Sequence, residues 1–215
     1  YDVKRKLDFL PVDNHLMMIW FGEQGCGKST AMRLMFGPAG PLHRAVNFSD
    51  ITDPRQMELW STPILFLDEM GKAASADMEC VKAAITNPTI SVRPMYSNGI
   101  ERVRQAATFC GASNKVLAQL IMDTTGTRRF FEMEFRKDAD WAAINAFDFG
   151  AAWKSIDEKA ADPIIPFLPQ IQALQNDQRR RSTVEEWLEH VNHDAVGLEY
   201  IYEITLDRVV TKEEF

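Results

Sequence analysis

Nine residues constrain this chain more than any others: Gly22-Glu23-Gln24-Gly25-Cys26-Gly27-Lys28-Ser29-Thr30. They satisfy the spacing G-x-x-x-x-G-K-[ST], and the chemistry accounts for each position. A triphosphate needs many hydrogen-bond donors converging on one point. Glycines at 22, 25 and 27 let the backbone curl so that successive N–H groups turn inward. A helix opening near Lys28 adds the positive end of its dipole. The Lys28 ammonium reaches the β- and γ-phosphates, and the Ser29 hydroxyl ligates magnesium. The context is what this mechanism requires. Residues 15–21 form a short apolar run of strand length, and residues 28–36 read as a helix. ATP and Mg2+ are therefore the expected cofactors.

A second apolar strand, residues 63–67, runs into Asp68 and Glu69. Charged groups ending a buried strand are costly unless they act. Downstream of a phosphate loop, Asp68 is expected to contact magnesium and Glu69 to polarise the attacking water. A third apolar strand, residues 106–112, leads to Asn114, placed to fix that water beside the γ-phosphate. Asn114-Lys115 also invites a guanine-reading N-K-x-D motif, but Leu117 stands where its Asp is needed, so GTP specificity is rejected. Arg128 and Arg129 follow a Gly126 turn just before another strand, residues 130–135. An arginine offered to a neighbour's γ-phosphate can contribute ~10³-fold or more in rate. A surface ion pair is the plainer account of these two.

The remaining pattern alternates strands and helices. A short strand is expected near residues 45–48, and a helix from an Asp53 N-cap with Pro54 to Trp60. Residues 75–86 read as a helix with Met78, Val81 and Ile85 on one face. Residues 89–104 read as a hairpin turning at Ser97-Asn98-Gly99, and residues 115–122 as a short helix. Alternation of this kind predicts parallel βαβ units with helices on both faces. Composition shifts after Lys137, so we divide the chain into a core, 1–137, and a mainly helical lid or appendage, 138–215. Residues 140–160 and 166–178 are expected to be helical, as is a stretch from Ser182 or Thr183 to Val191. Arg179-Arg180-Arg181 reads as a basic linker, residues 198–210 as a strand pair, and Thr211 with Glu214 as a capping box.

Net charge is −7, which argues against a dedicated nucleic-acid binder but does not exclude a local basic channel. Three scattered cysteines fit a reducing cytosol, and no apolar run reaches membrane-spanning length. The chain starts at Tyr1 without a signal segment and reads as a fragment of a longer protein.

Taken in order, GEQGCGKST, ILFLDE, ISVRPMY, TFCGASN and TGTRRF resemble the virulence-associated E-like family, which belongs with the superfamily 3 and primase–helicase type of phage and plasmid replicative helicases. The likeness covers about residues 15–137. It implies an AAA+-like P-loop ATPase core, a homo-oligomeric, hexameric ring, ATP sites between subunits, and single-stranded DNA in the channel. It places the sensor Asn at Asn114 and the arginine finger at Arg128 or Arg129. A primase domain would lie outside this chain, and the setting would be the bacterial host cytoplasm. Many superfamily 3 helicases carry a Lys near the position of Met95. Without it, Arg93, Tyr96, Arg102 and Arg104 of the hairpin are the candidate DNA contacts. An AAA+ ATPase that remodels protein partners is the alternative function.

Overall fold

The computed structural model describes residues 1–72, 75–94, 96, 98–120 and 127–178. Contacts gather Tyr1–Arg179 into one compact unit. The second unit, Arg180–Phe215, lies outside the described residues, and with it the expected basic linker, the helix from Ser182 or Thr183, the strand pair and the final capping box.

Five strands form one parallel sheet: β1 (Met17–Phe21), β2 (His43–Val46), β3 (Ile64–Leu67), β6 (Thr108–Ser113) and β7 (Phe130–Glu134). Their order is β2-β3-β6-β1-β7. Side chains of a strand alternate between faces, and both faces here are apolar. Met17 and Ile19 of β1, Leu65 and Leu67 of β3, and Phe109 of β6 enter one core. Their neighbours Ile64, Phe66, Cys110 and Ala112 enter the other, with Met18 and Trp20 packed against it. Burying a side chain of this size contributes roughly 1.5–3 kcal/mol. The strands therefore read as continuous apolar runs, as the sequence suggested.

Helices cover these faces. On the second face lie α1 (Asp2–Leu7), through Val3, and α2 (Lys28–Phe36), through Met32 and Phe36. On the first lies α4 (Ser75–Thr86), through Met78, Val81 and Ile85. The smaller helices are α3 (Phe48–Thr52), α5 (Leu117–Leu120), α6 (Trp141–Ala146), α7 (Phe149–Ser155) and α8 (Leu168–Gln178). Strands β4 (Thr89–Val92) and β5 (Glu101–Arg104) make a separate antiparallel hairpin, with Ser91 opposite Arg102 and Thr89 opposite Arg104. Val92 is buried, and Ile90 and Val103 pack on the first core, so Ser91, Arg102 and Arg104 share the outward face.

Two local expectations are corrected, and one element is new. No α-helix runs from Asp53 to Trp60: a 3-10 turn, Glu58–Ser61, forms at the end of that stretch, and the helix of this region, α3, precedes it from an Asn47 N-cap. There Asn47 and Asp50 form a reciprocal capping box that satisfies two otherwise orphaned donors. Asp53 ends that helix, and its carboxylate accepts from the Arg55 backbone and guanidinium instead. The single helical stretch expected over 140–160 is two short helices. Asp140 caps one by accepting from the Ala143 N–H at 3.0 Å, and Asp148 caps the next from Ala151 at 2.8 Å. Finally, α1 was not foreseen. It is tied to distant chain: Lys4 donates to the Ile156 carbonyl, Arg5 to the Glu158 carbonyl, and the buried Lys6 to Gln105 and the Ala107 carbonyl.

Candidate functional site

Strand order builds the site. Because β6 lies between β1 and β3, the loops leaving all three emerge side by side at one sheet edge. Phe21 is level with Ser113, and Leu67 with Gly111. The Gly22 N–H donates to the Ser113 carbonyl at 3.2 Å, tying the first loop to the third. Gln24, Gly25, Lys28, Ser29, Asp68, Glu69, Gly71 and Asn114 line a shared cleft of about 470 Å³.

The loop's curl depends on glycine. Gly25 and Gly27 have φ of 81° and 101°, where a side chain is strained. Gly27 also caps α2, and a Cβ there would run into the Trp141 ring. At Gly22 a Cβ would meet the Phe135 carbonyl. The chain after β7 therefore clamps the loop. Trp141 and Phe135 are tilted against each other, Phe135 stacks on Trp20 with centroids 5.3 Å apart, and Lys137 pairs with Glu23 at 3.2 Å. This clamp was not legible beforehand, because no local spacing links residues so far apart.

The Lys28 ammonium lies within the curl, donating to the Gly22 and Glu23 carbonyls at 2.7 and 2.8 Å, with Cys26 Sγ at 3.6 Å. The Ser29 hydroxyl donates to Asp68 Oδ1 at 2.9 Å. That hydroxyl and carboxylate form a two-group donor set. It suits magnesium, which keeps waters and takes the rest of its ligands from phosphates. Among the described residues no group of three or more His, Cys, Asp or Glu gathers into a self-sufficient metal cage. Glu69 is exposed at the cleft with φ 57°, and its N–H donates to Asp68 Oδ1 at 3.0 Å. Asn114 lies against Gly71, where a Cβ would collide with its amide oxygen. Thr30 is exposed and is not among the residues lining the cleft.

Behind Asn114, the Ser113 hydroxyl accepts from the Lys115 N–H and donates to the Lys115 carbonyl. Glu132 of β7 accepts from the Leu117 N–H at 2.7 Å, fixing the start of α5. Burial raises the Glu132 carboxyl above its ordinary range, and the Leu117 N–H opposes that shift.

Arg128 and Arg129 are elsewhere. Met17 is level with Phe130, so both arginines precede the strand starts, whereas the phosphate loop follows the strand ends. Five residues of β1 intervene, about 16 Å at ~3.3 Å each. The arginines do not join the cleft of their own chain. Arg128 is exposed, and Arg129 is half-buried with its Nε lacking a hydrogen-bond partner among the described residues. The preceding residues 121–126 lie outside the described residues.

The hairpin divides the candidate DNA contacts. Arg93 and Arg102 are exposed, and neither has an ion-pair partner among the described residues. Tyr96 is fully exposed with φ 65°. Arg104 is already engaged: it lies over the Phe9 ring at 4.2 Å and donates to the Lys6 carbonyl. Met95 and Ser97, and so the expected turn, lie outside the described residues.

The model of the virulence-associated protein E-like domain matches residues 11–155. No curated protein matches the sequence. Among solved structures, the A form of the apo NrS-1 C-terminal region superposes with a TM-score of 0.59 at 15% identity, covering 94% of this chain and 50% of that one. An apo structure of the same region (305–718) gives 0.54 at 16% identity, covering 94% and 51%. The chain thus spans about half the length of the structures it matches, and at this identity the likeness extends to the fold.

Proposed function

The chain belongs to the virulence-associated protein E-like domain family, and on that premise we propose that it is the ATP-hydrolysing motor of a phage or mobile-element replication protein. It would act as a homo-oligomeric ring, of six subunits by resemblance, moving on single-stranded DNA in the host cytoplasm. A primase domain would belong to chain outside this sequence. One observation carries this reading. The groups that bind and hydrolyse a nucleotide converge at one sheet edge, while the arginine pair leaves the opposite edge. A site divided in this way is complete only between two copies.

In this reading Lys28 exchanges its loop carbonyls for the β- and γ-phosphates. Ser29 and Asp68 would hold magnesium, which when bound neutralises phosphate charge. Glu69 accepts a proton from the water attacking the γ-phosphorus, and Asn114 orients that water. The bond to the bridging oxygen breaks, giving ADP and phosphate. A neighbour's arginine stabilises the charge spread over the transferring group.

The alternative is a protein-remodelling ATPase, and the fully exposed Tyr96 favours it, since an aromatic residue grips polypeptide. Arg93 and Arg102 favour DNA. ATPase rate with and without single-stranded DNA, measured alongside solution mass with ATP, separates the two. Stimulation by DNA in an assembled species supports the motor. An assembled ATPase indifferent to DNA supports the remodeller, and undiminished hydrolysis by a monomer defeats the shared-site reading.

A further inference from the structure

The arginine turn is held from behind by a helix that the sequence offered only as a lid or appendage. Gln175 of α8 is buried, and its amide nitrogen donates to two carbonyls. One belongs to Phe130 at 2.7 Å and the other to Arg128 at 3.2 Å. These carbonyls bracket Arg129. A single side-chain NH₂ thus spans the junction where the 3-10 turn Thr127–Arg129 becomes β7. Ile171, one turn earlier on α8, is buried beside it. Together with residues 13–16, the turn and α8 line an open cavity of about 290 Å³ that both arginines border, and of the two Arg129 is half-buried, with its Nε shielded from solvent. Arg128 is exposed.

Two neighbouring arginines cannot both be buried against α8 and reach a second molecule. The backbone orientation of the turn decides which faces outward, and Gln175 fixes that orientation. A carbonyl at a strand start is normally free to rotate with its peptide plane. Two carbonyls held by one buried amide are not, because turning either plane would strand a donor away from water. The Cα–Cβ bond of Arg128 therefore leaves the surface along a set direction, and only the rotamers of the side chain are left to settle when it meets a charged group.

We propose that Gln175 is a positioning residue for the arginine turn, holding Arg128 outward as the residue given to a neighbouring copy's nucleotide, with Arg129 as its packed anchor. The inference rests on the shared-site reading above. It makes α8 part of the catalytic apparatus of the adjacent subunit, without contact to the nucleotide of its own.

The test uses the full chain and Gln175→Met, which keeps length and volume but removes the donor. Nucleotide affinity and assembled mass should match wild type, while kcat falls at least tenfold. Ile171→Ala, which loosens α8 without touching either carbonyl, should lower thermal stability and leave kcat within about twofold. Mixing assigns the defect. Gln175→Met mixed with Lys28→Ala should regain activity, because each supplies the half the other lacks. Gln175→Met mixed with Arg128→Ala should not, because both lack the same half.

If Gln175→Met instead complements Arg128→Ala, Gln175 serves its own cleft and the inference fails. A wild-type kcat for Gln175→Met, with Arg128→Ala inactive, also overturns it while leaving the shared site standing. A wild-type kcat for Arg128→Ala overturns the shared-site reading itself. Should Gln175→Met fail to fold, Gln175→Asn, which keeps the amide one methylene short, is measured in the same assays with the same expectations.

Discussion

Two residues show how little separates binding from turnover in this cleft. Gly27 sits at φ 101° and faces the Trp141 ring. Gly27→Ala meets both obstacles, and the backbone strain alone amounts to roughly 1–3 kcal/mol. Thermal unfolding should show a loss of that order together with weakened nucleotide binding. Adding Trp141→Ala should return only the part due to the ring. Full recovery in the double variant would mean that the φ of Gly27 is unimportant. Glu69 differs because it follows β3 and lies outside the phosphate loop. Glu69→Gln should leave nucleotide affinity nearly intact and cut kcat by about 10²–10⁴-fold, as loss of a general base does. Lys28→Ala should instead lose affinity, since the β/γ-phosphates lose their cation. A Glu69→Gln enzyme with wild-type turnover would end the assignment of Glu69 as base. The loop, the carboxylates and Asn114 were legible in sequence because each lies at a strand end with a fixed local spacing. Trp141 was not, because only the tertiary fold brings it to Gly27.

Among the elements, α1 carries the clearest stability prediction. Lys6 is buried between α1 and the base of β6, donating to Gln105 and the Ala107 carbonyl. Burial, with a smaller repulsion from Arg104, lowers its pKa to about 8 from an ordinary 10.5. In that window the unfolded chain holds more protons than the folded one, so stability rises as pH increases from about 8 to 10.5. The gain is at most about 3 kcal/mol. Lys6→Met should be less stable at neutral pH, because two acceptors lose their donor, and should lack that rise. Denaturant titrations of both proteins at pH 7.5 and about 10 are sufficient. An equal rise in the variant would assign it to other groups. Sequence reading missed α1 because six residues carry too little apolar period to mark a helix. What fixes α1 is lysine and arginine bonding to chain around residues 105 and 156–160, which no window contains. The strands were readable for the opposite reason: burial on both faces leaves short apolar runs that end abruptly at polar residues.

For the whole molecule, the question is how a chain of net charge −7 would hold a polyanion. It must concentrate positive charge where the strand passes. The hairpin does this in part. Ser91, Arg102 and Arg104 share its outward face, and Arg93 follows β4 directly, with its N–H held by the Pro54 carbonyl at 2.8 Å. Arg104 is committed to Phe9 and the Lys6 carbonyl, so it braces the hairpin's base against α1. Arg93 and Arg102 remain as the phosphate contacts, and Tyr96 offers a stacking face worth ~1–3 kcal/mol per base. The sequence showed three arginines in one hairpin but not this division, since Phe9 and Lys6 belong to a segment it left unread. The prediction is accordingly narrower than composition would suggest. The double variant Arg93→Ala, Arg102→Ala should assemble and keep basal ATPase, while DNA affinity falls. The slope of log affinity against log salt should shrink by roughly two, about one for each phosphate contact removed. Arg104→Ala should act differently: lower thermal stability, with a salt slope close to wild type. If the double variant keeps its slope, or if Arg104→Ala carries the loss instead, the DNA path does not cross the outward face of this hairpin.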